Sequence, residues 1–244
     1  MSSGVENPGP HRKLFWVRLD GRPTEVHPLH GEVQKAHIYC CTWSNSAGEA
    51  EKKAIAITSL FAFEILSHSE GLPAESIDPP EGHEAGQEKA FNEANRFGFG
   101  TYCHPAVPRK EPGNEWCPIW WFVVDVQPTR LHPRFWEIGR LQLFVSVWSG
   151  DEARARERVL ALMGLFDFDV LMCSEGVPDP VRPIYGMDEG FEAAKLQACK
   201  WGIGLFGYAE FSGIGHADAR PYPYLHPAQD RRRGAAEGPP GSKL

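Results

Sequence analysis

The chain has no apolar run approaching the roughly 20 residues that a membrane-spanning helix requires, and no apolar stretch behind a positively charged start near its N-terminus. These absences argue against a helical span and a secretory leader, and they predict a cytoplasmic protein. Its six cysteines include no Cys-x-x-Cys pair, which predicts buried free thiols in a reducing compartment and no redox or zinc motif. No His-x-x-x-His or His-Glu-x-x-His spacing occurs. The Gly98-x-Gly100 and Gly202-x-Gly204 pairs follow helical patterns, whereas a phosphate-cradling loop must precede a helix to use its N-terminal dipole. They read as helix caps. The expectation is no metal, no cofactor and no catalytic set.

Positive charge is also scarce. The net charge is −7 over 244 residues, and residues 216–244 carry five basic against three acidic side chains, so residues 1–215 sum to −9. An acidic body disfavours nucleic acid and suits a basic protein partner. A hydrophobic content of 42% supports one large core or two modest ones.

What is present is a repeat. Displacing the sequence by about 105 positions aligns residues 14–73 with 119–178, and about 18 of the roughly 60 pairs are identical. Asp20 meets Asp125, His27-Pro28 meets His132-Pro133, Trp43-Ser44 meets Trp148-Ser149, and Ser69-Glu70-Gly71-x-Pro73 meets Ser174-Glu175-Gly176-x-Pro178. The pattern predicts a loose N-terminus (1–12), two repeats (13–111 and 117–215) and a tail rich in Pro, Gly and Arg (216–244).

Each repeat opens with an apolar strand, Leu14 to Leu19 or Ile119 to Val124, ended by the Asp and a Pro-Thr turn. A second strand follows at His37 to Trp43 and Leu141 to Trp148, then a helix over about Ala47 to Ser59 and its counterpart, which Ser149 or Asp151 starts. Phe166-Asp167-Phe168-Asp169-Val170 alternates with period two and reads as a half-exposed strand. After the Ser-Glu-Gly-x-Pro break come a second helix (about Glu84 to Arg96, Asp188 to Lys200) and a last strand (Phe99 to Cys103, Ile203 to Phe211). The order ββαβαβ predicts an α+β fold with helices on one sheet face and the two repeats packed about a pseudo-twofold.

Candidate chemistry is sparse. His27 and His132 sit beside prolines in connections, which suits an imidazole that bonds loop backbone. Cys103 and His104 point to opposite sides of a strand and are badly placed to exchange a proton. Glu75, Asp78, Glu81 and Glu84 cluster in the loop of the first repeat, where the second repeat is less acidic. Such a one-sided patch suits contact with a basic protein, with Trp120 and Trp136 as aromatic anchors.

The Trp-Ser-x-x-helix segments at Trp43 and Trp148, the Gly-x-Gly segments and the ββαβαβ order resemble the immunity proteins of bacterial polymorphic toxin and type VI secretion systems, in particular the family paired with restriction-endonuclease-fold toxins. The resemblance spans much of residues 14–211 and carries over no functional residue. It implies a stoichiometric inhibitor, a monomer or weak homodimer, that occludes a basic toxin, in this reading a nuclease, without turnover. The alternative from the residues is a small-molecule binding module or an enzyme, with a site at the repeat junction between Cys103-His104 and Gly215-His216.

Overall fold

The computed structural model describes residues 12–76, 82–104, 119–135, 137–179 and 188–211, with residues 188 and 208–211 as backbone only. The first half runs β1 (Lys13–Pro23), β2 (Ala36–Ser44), α1 (Ala47–Leu60), β3 (Phe63–His68), β4 (Leu72–Pro73), a 3₁₀ turn (Ala74–Ser76), α2 (Glu84–Phe97) and β5 (Phe99–Cys103). The second runs β6 (Ile119–Pro128), β7 (Arg140–Trp148), α3 (Glu152–Leu165), β8 (Phe168–Cys173), β9 (Val177–Pro178), α4 (Asp188–Trp201) and β10 (Ile203–Phe211). Among the described residues the fold is α+β, with four helices and two antiparallel five-stranded sheets.

The sheets are ordered β3-β1-β2-β5 and β8-β6-β7-β10. Leu14 lies opposite Trp43 and Asp20 opposite His37 in the first sheet, while Ile119 lies opposite Trp148 and Asp125 opposite Gln142 in the second. Both sheets shift register just after that aspartate, and the carboxylate bonds what the bulge leaves beside it. Asp20 lies 2.7 Å from His37 Nδ1 and 2.9 Å from Lys35 Nζ. Those hydrogen bonds, from Lys35 first and His37 next, hold its carboxyl well below the usual carboxylate range. Asp125 accepts from Gln142 Nε2 at 2.9 Å and from Arg140.

The Ser-Glu-Gly-x-Pro segments do more than end a strand. Ser69 Oγ accepts the Arg18 amide at 3.1 Å and Ser174 Oγ accepts the Val123 amide at 2.9 Å, so the chain stays on the sheet edge. It then pairs with β1 or β6 once more as β4 or β9.

Local chemistry fixes the helix ends. Ser46 caps α1 by accepting from the Glu49 amide, and Asp151 caps α3 by accepting from the Arg154 amide. Ala62 (φ 64°) and Asp167 (φ 62°) turn the chain out of α1 and α3 in the left-handed region. Phe166 therefore belongs to the helix end, and the strand expected from it begins at Phe168. Gly98 (φ 81°) and Gly202 (φ 78°) end α2 and α4 as caps. The second glycine of each pair has a different reason: a Cβ on Gly100 or Gly204 would sit 1.8 Å from the carbonyl oxygen of Ala90 or Ala194, so each lets a helix lie directly on a strand.

The expectation that helices cover one face of each sheet is corrected here. The inner faces (Phe15, Val17, Ile38 and Cys40; Phe122, Val124, Leu143 and Val145) pack with α1 and α3 in one core that spans both halves. The outer faces carry the other helices. Leu14, Trp16 and Cys41 pack with Ala90 and Ala94 of α2, and Ile119, Trp121 and Phe144 with Ala194 and Ala198 of α4. The physical reason is that both faces of the central strands are apolar, and burying each large side chain contributes about 1.5–3 kcal/mol.

Candidate functional site at the seam between the halves

The seam is built from matched pairs. Gly98 lies against Phe166 and Gly202 against Phe61. The Phe99 and Phe166 rings stack 5.9 Å apart, and Phe61 meets Trp201 at 6.3 Å. Lys53 on α1 and Arg158 on α3 hold corresponding helix positions 105 apart, and each reaches into the opposite half. Lys53 Nζ donates to Asp167 Oδ2 at 2.7 Å. Arg158 donates to Leu60 O through Nε at 2.9 Å and Nη2 at 2.6 Å, and to Trp148 O through Nη1 at 2.6 Å.

Burial pushes Arg158 down to about 10. Desolvation also lowers Lys53, against the pull of Asp167. Sequence reasoning missed both cations, because a basic residue in a helical pattern ordinarily belongs to the solvent face. The available signal was a cation at the same helix position in both halves, flanked by Ala54 and Ile57 or by Val159 and Leu162.

Three cavities line this seam. One of about 60 Å³ is closed by Phe61, Phe97, Phe166 and Trp201, with Glu93 and Gln197 beside them. The Glu93 carboxyl is raised by burial, against the opposing charge of Lys89.

A second, of about 270 Å³, brings His83, Tyr102, Cys103 and His104 together with Lys200 of the other half. The His83 ring stacks on His104 at 3.7 Å, and its Nδ1 lies 3.0 Å from the Tyr102 hydroxyl. Burial pushes the Cys103 thiol up to about 12, so it stays protonated at neutral pH, where only the thiolate is a strong nucleophile. Gly215-His216, the other part of the expected junction site, lies outside the described residues.

The third cavity, about 490 Å³, has Arg12, Trp43, Arg130, His132, Arg134 and Glu137 among its lining residues. Arg12 donates to Asp167 Oδ2 at 2.8 Å, to Glu49 Oε1 at 3.3 Å and to Leu131 O. Its Nε, with Trp43 Nε1 and His132 Nε2, is buried without an acceptor among the described residues. An unmatched buried donor of this kind costs about 1–3 kcal/mol.

The two repeated histidines do the same structural work. His27 Nδ1 accepts the Leu29 amide at 3.0 Å and His132 Nδ1 accepts the Arg134 amide at 3.1 Å. Their rings lie 4.4 Å from Phe63 and Phe168. Desolvation pushes His27 down to about 3, helped by the Arg158 charge, and His132 down to about 4, where Asp167 pulls the other way. Both are neutral at pH 7.

Of the expected partner-binding residues, Glu75, Glu84 and Trp120 are described. Glu75 is exposed on the 3₁₀ turn, 3.7 Å from Lys13 Nζ, and Glu84 is exposed at the first position of α2, where its carboxylate accepts the Gly82 amide. Ala74 packs with Ala90 and Ala94, so Glu75 and α2 share one side of the sheet. In the second half the position of Ala74 is held by Asp179, which accepts from Trp121 Nε1 at 3.3 Å and Lys195 Nζ at 2.7 Å. Trp120 is half-buried against the central core, with Nε1 donating to Ser149 O at 3.2 Å. Asp78, Glu81 and Trp136 lie outside the described residues.

Among the described residues no three His, Cys, Asp or Glu side chains group as a metal site, and no helix is long and apolar enough to cross a membrane. No family model, curated protein or solved structure matches the chain.

Proposed function

We propose that the two halves are copies of one ββαβαβ unit packed about a pseudo-twofold axis, and that the chain is a cytoplasmic immunity protein that grips a basic toxin, a nuclease in this reading, without turning anything over. Support for the duplication is the common strand order and the register displaced by 105 residues in both sheets. The observation that carries the functional reading is the pair of exposed carboxylates on the outer side of the first sheet. Glu75 and Glu84 are exposed on the α2 side of the first sheet, while the corresponding stretch of the second half begins with Asp179 drawn inward by Trp121 and Lys195. Exposed carboxylates on an outer face suit a basic partner, because unlike charges steer encounter and fix orientation.

The test is protection of cells that express the toxin encoded beside this chain. Reversing charge at Glu75, Asp78, Glu81 and Glu84 together should abolish protection while leaving the thermal midpoint unchanged. Full protection by that variant removes this surface from the reading, and the absence of any toxin that the parent protects against removes the reading itself.

A second reading, a small-molecule module at the junction, is favoured by the 270 Å³ cavity, where His83, Tyr102 and His104 of one half face Lys200 of the other.

A further inference from the structure

We propose that the cleft formed by Arg12, Trp43, Arg130, His132 and Arg134 is an oxyanion site that takes the carboxylate or phosphate group of a small organic molecule. Arg12 is 7% exposed and is held at both terminal nitrogens by Asp167, Glu49 and the Leu131 carbonyl, which leaves Nε–H as its remaining donor. His132 accepts a backbone amide at Nδ1, so its proton sits on Nε2, and that N–H has no acceptor among the described residues. Trp43 Nε1 is a donor by its chemistry and is in the same position.

Glu137, the one carboxylate among the described lining residues, is taken up by Arg134 at 3.0 Å, and Arg130 is exposed. Donors without acceptors, among cationic side chains, call for a ligand that only accepts. All three N–H groups are buried, so an anion must displace neighbouring side chains to reach them.

Comparison with the other half separates this from ordinary scaffold. His27 Nε2 also lacks an acceptor, so the imidazole alone is a property of the turn. The arginines are not. One repeat length away, Arg130 is answered by Glu25, Arg134 by Leu29 and Arg12 by Cys117, although Trp43 is answered by Trp148 and His132 by His27. The imidazole and indole are thus common to both halves, and the cations belong to one cleft only.

The experiment titrates the full chain with sodium phosphate, and separately with sodium acetate, at constant ionic strength while the indole N–H signals are followed by ¹H–¹⁵N correlation spectra. The Trp43→Phe variant identifies the Trp43 signal. The expected result is a saturable shift of the Trp43 indole N–H with at least one anion and none at Trp148. Arg130→Ala, at an exposed position that leaves the fold intact, should weaken binding about tenfold. Saturation with phosphate alone assigns a phosphate ligand, with acetate alone a carboxylate, and with both a general oxyanion site. No saturable shift with either anion, equal shifts at Trp43 and Trp148, or unchanged affinity in Arg130→Ala would each overturn the proposal.

Discussion

The two halves join through the same helix position with different chemistry. Lys53 meets a carboxylate, Asp167, which Arg12 shares, while Arg158 meets backbone carbonyls at the C-terminal end of α1 and the end of β7. The residue matching Asp167 is Ala62, which offers no charge. An arginine fork satisfies several carbonyls at once, and the partial negative charge of a helix end suits it. A lysine is a single point charge and, buried, needs a full counter-charge. The tertiary position therefore demands a cation, and the identity of the cation decides what must face it.

The largest expected effect tests that pairing. Asp167→Ala leaves Lys53 and Arg12 buried without their shared carboxylate and should cost about 3–5 kcal/mol in urea denaturation. Arg158→Met leaves carbonyls unmatched and should cost about 1–3 kcal/mol. Equal losses would mean that the two joints are not chemically distinct.

Next comes a test of sameness. Gly100→Ala and Gly204→Ala place a methyl group against a helix carbonyl in each half, and each should destabilise by about 3 kcal/mol. A large inequality between them would break the structural correspondence of the halves.

The histidines give a smaller, pH-dependent contrast. Their folded values, about 3 for His27 and about 4 for His132, lie below the ordinary value near 6.5. As pH falls, the unfolded chain takes up the proton first. Stability from these groups is then complete above about pH 6.5 and declines below it by up to about 1.4 kcal/mol per unit for each histidine. The decline from His132 ends near pH 4, and that from His27 continues towards pH 3. His27→Gln and His132→Gln should each flatten the change in urea midpoint between pH 7 and pH 5. An unflattened slope would show that neither ring is the cause.

The smallest effect is expected at the Ala62 turn. Ala62→Gly relieves a left-handed alanine and should stabilise by about 0.5–1 kcal/mol, whereas Asp167→Gly relieves the same backbone but loses the ion pair and should destabilise. Calorimetric midpoints moving in the same direction would refute the contrast.

Much of the fold was legible because it rests on local rules. The apolar runs at 14–19 and 119–124 announced buried strands, and Ser149 or Asp151 announced the start of α3. Gly98 and Gly202 marked helix ends. The second face of each sheet was not legible. Leu14 and Trp16 belong to the same unbroken apolar run as Phe15 and Val17, and such a run does not say that two separate helices will cover its two sides. The oxyanion cleft was hidden for a related reason: Arg12, Trp43 and His132 are far apart in the chain, and each alone looks ordinary.

By itself the sequence determined the element order, the turns and caps, and the acidity of the body, since each depends on residues within a few positions of one another or on a simple sum. The tertiary structure decided which faces are covered, which cations are buried, and which donors meet at the seam. Those outcomes depend on the competition between desolvation and pairing among residues roughly a hundred positions apart, and no local pattern records it.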